Sequence, residues 1–522
     1  MAVEVLSRYS SPDLIQDRSE RPARLLVFAG DAQDPLPIHL LPEETLLRHI
    51  PIEIRRSPRI SPQEAILLIT QADSVSDIGK KTLIASAHPK ENDGVSELSL
   101  FETEFGRDSL IVAKNLLPRY PVLVRTTIKS LASSQGLEPE SSEEEYMKSY
   151  TKREEEPGRI IHENRTSDDP RGQEIVRDWN WQFPYYGQVD ANPLFVVLVG
   201  SFSKRYGPGI LDETYVNKKG ETKTVGNAIR SAIEWISGRM DSNPHGMLEF
   251  YQQTPDGISH QAWRDSKEGY HHADGRIADA SIGIASISVQ VEAYKAFQEA
   301  AVMFPKDRDE YLARAEHLKK MVLKHWVEDE RGGYFALGSE RKADGRRELL
   351  RIRTSDMGHV LDSDILAGDD PEIVRMRDML VASLFSEDML AAGGIRTLGK
   401  AEVRFNPRGY QIGSVWPKEN DIIARGLERH GYSSEAHNLH ERNARIWQET
   451  GVLPEFVEGD DQSIKLVSRI VDVERIDPLK RPYKFRLEQP GQLIQGWSVP
   501  SIERSLEYLE YKRIYGHPPL AP

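Results

Sequence analysis

The sequence predicts a mainly helical fold, on three observations. From Arg107 onward, apolar residues recur at helical spacing. Many of these stretches end at or near a glycine (136, 207, 238, 431, 451), and no apolar strand runs lie between them. Pro121 suits a first helical position, Val124, Ile128 and Leu131 follow at i, i+4 and i+7, and Gly136 can close that helix. Pro193 opens a run that ends near Gly207, and Tyr311, Ala315, Leu318 and Val322 form a further stripe. Segments 224–238, 280–303, 371–384, 420–430, 435–449 and 495–511 also read as helices. A parallel sheet with crossovers would need buried strands between these helices. The first hundred residues differ: Arg24–Phe28 and Ala65–Thr70 are short apolar runs among Pro-, Asp- and Ser-rich segments, and they read as strands or extended pieces. The expected organisation is therefore an N-terminal extension of mixed or β character at 1–100 and a helical domain at 101–522.

Composition narrows the function. The 522 residues are 39% hydrophobic and 29% charged, enough for a large core and a wet surface. A formal net charge of −14 supplies no basic footprint for nucleic acid and disfavours an anionic membrane surface. A neutral substrate such as a sugar is compatible with it. The absence of cysteine excludes disulfides, thiolate catalysis and thiolate metal sites, and fits a reducing compartment. The N-terminal Met-Ala-Val-Glu-Val-Leu-Ser-Arg shows no signal-peptide pattern, and no run approaches 18 apolar residues. A cytoplasmic location is the expectation.

Chemistry concentrates in long loops. Residues 138–188, 241–279, 385–419 and 451–494 are rich in Trp, Tyr, His, Asp, Gly and Pro, and loops of this length are commonly functional. There is no phosphate loop, dinucleotide fingerprint, His-Glu-x-x-His or nucleophile elbow. His271, His272 and Asp274 could hold a metal, but adjacent histidines usually point apart. What remains is carboxylates beside aromatics, the combination that glycoside hydrolysis needs: one acid to protonate the leaving oxygen, one carboxylate to activate water or attack. The clusters are Phe105–Asp108, Asp178–Trp181, Tyr185–Asp190, Gln261–Ser266, Trp416–Asp421 and Leu453–Phe456.

In this order the clusters resemble the glucosidase part of glycogen-debranching enzymes, the amylo-α-1,6-glucosidase family, over about residues 101–510. The resemblance rests on Phe105-Gly106-Arg107-Asp108, Glu156–Glu163, Tyr185–Phe195, Trp263-Arg264-Asp265-Ser266 and His272–Gly275. It continues through Gly358-His359, Gly394–Leu398, Tyr410–Pro417, Leu453-Pro454-Glu455 and Gly496-Trp497-Ser498. More distantly the chain is similar to neutral invertases and glucosylglycerate hydrolases. The resemblance implies an (α/α)6 barrel and an inverting, exo-acting hydrolase that needs no metal or cofactor. It implies Asp265 as general acid and Glu455 as general base, with Arg107, Asp108 and Asp190 in the substrate-binding set and Trp263, Tyr186, Trp416 and Trp497 as pocket walls. Inversion then places the two carboxyl groups roughly 6.5–9.5 Å apart. The general acid must keep its proton, so Arg264 is expected to turn away from Asp265.

Each assignment has a structural rival. Asp265 and Asp108 could be helix caps, and Trp416 and Trp497 could be core residues. Glu458, Asp460, Asp461 and Glu419 compete with Glu455, and His272 and His359 read as scaffold. The stretch 97–100, the loop 457–486 and the short N-terminal region depart from the family at the pocket's edges. A small α-glucoside is therefore as good a candidate as a branched polymer. The alternatives are a hydrolase of another small glycoside, sucrose-like or glucosylglycerate-like, and a catalytically silent carbohydrate-binding protein.

Overall fold

A computed structural model of the chain describes residues 59–87, 101–476, 482–490 and 492–519, with side chains undescribed from 468 to 490. Residues from Ile60 onward form one compact unit. Its helices are α1 (Pro62–Ile69), α2 (Gly106–Leu116), α3 (Pro121–Ser133), α4 (Glu144–Lys152), α5 (Pro170–Trp179), α6 (Ala191–Tyr206) and α7 (Val225–Asp241). They continue as α8 (Ile287–Met303), α9 (Arg308–Leu323), a 3-10 segment (Ser355–Asp362), α10 (Pro371–Leu384), α11 (Pro417–Arg429), α12 (Ser433–Thr450) and α13 (Ser498–Tyr515).

Packing arranges these elements in two rings. Helix α2 packs on α6, α6 on α8, α8 on the 3-10 segment, that segment on α11, α11 on α13, and α13 back on α2. Each inner element carries an outer partner: α3 on α2, α7 on α6, α9 on α8, α10 on the 3-10 segment, α12 on α11 and α1 on α13. This is an (α/α)6 barrel, as expected. The inner elements are buried nearly all round, polar residues of α11 included, because they pack one face against the ring and the other against the outer layer. In α6, for example, residues from Ala191 to Gly200 are all buried. Gly426 lets α11 approach the 3-10 segment closely: a Cβ there would sit 2.5 Å from Leu361 Cβ and 2.8 Å from the Asp362 nitrogen.

Four expectations need correction, the first being the loop 138–188, which contains α4 and α5. Ala65–Thr70 is not a strand. It lies in α1 and its C-cap, started by a capping box in which Ser61 and Glu64 satisfy each other's backbone N–H groups. Because α1 is the outer partner of α13, part of the stretch read as an extension packs with the barrel. Arg24–Phe28 and residues 97–100 lie outside the described residues. The segment 280–303 opens as a short strand, Ile284–Ser286, paired with Gly338–Glu340, before α8 begins. The loop 451–494 contains an antiparallel hairpin, Ser468–Ile476 with Pro482–Pro490.

The strand Glu104–Phe105 pairs with Glu163–Asn164 and feeds α2. Glu104 is buried, with the Ser130 hydroxyl donating to it at 2.8 Å. Burial pushes its carboxyl from 4.5 up to about 7. The protonated form is therefore favoured in the fold. The associated stability is complete below about pH 4.5 and is lost as pH rises towards 7. Glu104→Gln mimics the protonated acid. Its unfolding free energy should stay near that of the parent at pH 5 and exceed it at pH 8, by an increment on the order of 3 kcal/mol. Equal differences at the two pH values would contradict this.

Candidate active site

The inner elements point their N-terminal ends at one end of the barrel. Arg107 and Asp108 stand in the first turn of α2, Asp190 is the residue before α6, and Ser355 and Asp356 open the 3-10 segment. Lys418 lies in the first turn of α11, and Trp497 precedes α13. Partial positive charge at these N-termini favours carboxylates there. The long loops before the helices add Asp265, Tyr410, Gln411 and Glu455.

Arg107 is the hub. Its Nη1 donates to the Ala262 carbonyl at 3.0 Å, both Nη atoms lie 3.4 Å from Asp265 Oδ2, and Nε lies 3.4 Å from Asp190 Oδ2. Gln495 Nε2 donates to Asp108 Oδ1 at 3.1 Å. Asp108 is therefore no cap, since Phe105 holds the N-cap position. The neighbouring residues Tyr410 and Gln411 join the two proposed catalytic groups. Tyr410 donates its phenol to Glu455, while Gln411 Nε2 approaches Asp265 Oδ1 at 3.4 Å and donates to the Trp263 carbonyl at 2.6 Å. Gln411 also accepts from Ser266 N at 3.0 Å, so it grips both flanks of the acid.

Electrostatics separates these groups. Burial raises the Asp265 carboxyl above its ordinary range, and Arg107 and then Gln411 act against that rise. The side chain is nevertheless 32% exposed, against 7% for Asp190, so Asp265 is the acid a ligand can reach. Asp108 is pushed from 3.8 up to about 7 by burial, with Arg107 opposing and the charges of Asp265 and Glu455 reinforcing the rise. Asp108 thus feels both candidate catalytic carboxylates. Asp190 is raised by burial, chiefly against Arg107.

Arg264 turns away from Asp265, as expected. It pairs with buried Asp356, donates to the Gln411 carbonyl at 2.6 Å and to the Thr397 carbonyl at 2.5 Å. Asp356 also accepts from Trp263 Nε1 at 2.8 Å and so holds both residues before the acid. The rivals of Glu455 are engaged elsewhere. Glu458 pairs with Arg408, Asp461 with Arg396 and Lys400, and Asp460 accepts from Gln462 and Ser463 backbone N–H groups. Glu419 is enclosed by Lys418, His359 and Ser355.

The aromatic assignments divide. Trp263 and Trp497 are each 5% exposed and flank Lys418. Trp416 is wholly buried behind them, stacked on Phe456 with ring centroids 5.3 Å apart, so it supports the wall rather than forming it. Tyr186 is the clearest departure. Its side chain is fully buried, its hydroxyl donates to the Ser134 carbonyl at 2.8 Å, and Lys218 donates to that hydroxyl. A ring with no exposed face cannot stack on a sugar.

His271, His272 and Asp274 do not converge. Instead His272, Glu340 and Glu348 bring ligand-type atoms within 4.8 Å of one another. Lys342 lies 2.5 Å from Glu340 and 2.7 Å from Glu348, with Arg276 3.3 Å from Glu348, so cationic side chains already balance this cluster. Asp356, Gln411, Gln495 and Lys418 were not given roles from the sequence. Gln411 and Lys418 sit inside quoted motifs, whereas Asp356 and Gln495 lie just outside them, two residues before Gly358-His359 and one before Gly496-Trp497-Ser498. Among the described residues, Asp190 Oδ1, Gln495 Oε1 and Trp497 Nε1 are buried without a hydrogen-bond partner, as groups that meet a polyhydroxylated ligand would be. A cavity of about 50 Å³ leads inward from Arg107, Asp190, Trp263 and Lys418 towards Lys114 and Arg425.

Residues 224–461, just under half of the chain, match the family model of the mannosylglycerate hydrolase MGH1-like glycoside hydrolase domain. The family that this stretch resembles is one of glycoside hydrolases, in agreement with the sequence reading at that level. No curated protein matches the chain in sequence. Among solved structures, the chain is similar to a GH63 mannosylglycerate hydrolase from Thermus thermophilus in complex with Tris. That match has 10% identity and a TM-score of 0.54, over 85% of this chain and 99% of that one. It is also similar to a bacterial glucoamylase complexed with acarbose, at 13% identity and a TM-score of 0.49, over 85% of this chain and 54% of that one. At such identity the first likeness speaks for the fold. Among the described residues, no helix is long and apolar enough to cross a membrane.

Proposed function

We propose that this chain is an inverting, exo-acting glycoside hydrolase that releases glucose from a small α-glucoside or an α-1,6-linked oligosaccharide. The observation that carries the reading is the pairing of Asp265 and Glu455 through Tyr410 and Gln411, beside Arg107, at the N-terminal end of the inner ring. Asp265, its pKa raised by burial, protonates the glycosidic oxygen as the C1–oxygen bond breaks. Glu455 takes a proton from a water whose oxygen attacks C1 from the opposite face. The products are a free sugar of inverted configuration and the alcohol, and solvent takes the proton from Glu455 and returns one to Asp265. Arg107, Asp108 and Asp190 hold the terminal sugar. A pocket on a barrel axis favours a chain end, which supports exo action.

A second reading follows from the matched family: a hydrolase of mannosylglycerate- or glucosylglycerate-like substrates on the same machinery. The test is monosaccharide release from isomaltose, panose, sucrose, glucosylglycerate and mannosylglycerate, followed by NMR. Turnover of isomaltose or panose above the others supports the first reading, and turnover of the glycerates alone supports the second. Sugar binding without turnover anywhere in the panel would leave a silent binding protein.

A further inference from the structure

Lys418 is 1% exposed, and among the described residues its ammonium makes one strong contact, to Glu419 Oε1 at 2.8 Å. Around it stand three indoles, with Nζ 3.6 Å from the Trp263 ring centroid, 5.2 Å from Trp497 and 6.0 Å from Trp416. Ring faces attract a cation but accept hydrogen bonds weakly. An ammonium carries three donors, and a buried donor without an oxygen partner is costly. Glu419 cannot swing to serve the others. It is fully buried and fixed by Ser355 Oγ at 2.5 Å and by His359 Nε2, 3.0 Å from Oε1. The open side of Lys418 faces the cavity that Arg107 and Asp190 share.

We infer that Lys418 is a specificity-determining residue whose remaining N–H groups donate to one hydroxyl of the bound sugar, in the cavity it lines with Arg107 and Asp190. The inference rests on the reading of this pocket as a sugar site. The indole cage strips water from the ammonium and Glu419 fixes its direction, so a charge-assisted hydrogen bond to a correctly placed hydroxyl is strong there. A sugar lacking that hydroxyl leaves the ammonium unsatisfied, which is how a buried polar site rejects a deoxy analogue.

The experiment titrates the parent and Lys418→Met with glucose and its 2-, 3-, 4- and 6-deoxy derivatives, reading tryptophan fluorescence and calorimetry. The parent should bind one derivative more weakly than glucose by roughly 10–100-fold, the range of one hydrogen bond to a charged group. Lys418→Met should lose affinity for glucose and lose the discrimination at that position alone. Because removing Lys418 leaves Glu419 buried beside fewer cations, Lys418→Met/Glu419→Gln is measured alongside. It should show the same selective loss with the fold restored. A variant that weakens all five sugars by one factor, keeping the parent's pattern, assigns Lys418 to scaffolding and overturns the inference. So does a parent that binds no sugar in the set. The proposed activity fails differently, by sugar binding without turnover.

Discussion

Asp265→Asn is expected to lower turnover of an alkyl α-glucoside by about 10²–10⁴-fold, the usual span of a general-acid contribution. The argument is one of leaving groups. An alkoxide cannot depart at neutral pH without a proton, and Asp265 is the accessible carboxyl whose pKa burial raises. Asparagine keeps the shape and can still meet Gln411, but it supplies no proton. Glucosyl fluoride separates chemistry from damage, because fluoride departs without protonation. The variant should hydrolyse it within about tenfold of the parent, so the loss is specific to substrates that need an acid. The pH profile is a second readout. A group that works protonated sustains the rate below its pKa and loses it above, so the alkaline limb of the parent should vanish in the variant. Equal losses on fluoride and alkyl glucoside, or near-normal activity on both, would remove Asp265 from the acid role.

Much of the barrel was legible because its helices are long and strongly periodic. The reading of 371–384 matches α10 residue for residue, and the 435–449 stretch lies inside α12. What failed did so for identifiable reasons. The run Ile-Leu-Leu-Ile in α1 is too short for periodicity to separate helix from buried strand, and the Ser61–Glu64 capping box was the decisive signal. The 3-10 segment Ser355–Asp362 spans only eight residues, too few for the spacing of Met357, Val360 and Leu361 to mark a helix, and its N-cap residue Thr354 makes no side-chain cap bond. The inner ring therefore could not be closed from sequence, and Asp356 stayed invisible. The hairpin at 468–490 is foreshadowed by apolar–polar alternation around Val471, Val473, Phe485 and Leu487, a period-2 pattern hidden by the charge of the loop.

The site was legible as a set of motifs but not as directions of side chains. Tyr185 and Tyr186 are adjacent aromatics in one loop, and nothing in sequence shows that Tyr186 is sealed against Ser134 and Lys218. Motif position places a residue near a pocket, whereas only the backbone decides whether its ring faces in. The same limit applied to Lys418 and Gln411, which stood inside motifs noticed for their aromatic and acidic members. Arg264 shows the converse. The need to keep a proton on Asp265 dictated that its neighbour turn away, and Asp356 with two backbone carbonyls provides the destination.

Glu455→Gln should lower turnover by about 10²–10⁴-fold on every substrate, glucosyl fluoride included, and this contrast with Asp265→Asn identifies the base. Whatever the leaving group, an inverting reaction needs a carboxylate to take a proton from the attacking water. Glutamine keeps the length and can still accept from Tyr410, so the wall of the pocket survives while the basicity is gone. Binding of glucose should change little, since the proposed sugar contacts of Arg107, Asp108, Asp190 and Lys418 are untouched. The parent reaction supplies the stereochemical half of the argument. If Glu455 activates water from the far side of the ring, the first-formed product of an α-glucoside is β-glucose, visible by NMR before mutarotation. If Glu455 were instead a nucleophile, the product would be α-glucose, and a covalent glycosyl-enzyme would accumulate with a fluorinated substrate. Retention of configuration, or a Glu455→Gln enzyme that still hydrolyses the fluoride at the parent's rate, would overturn the base assignment.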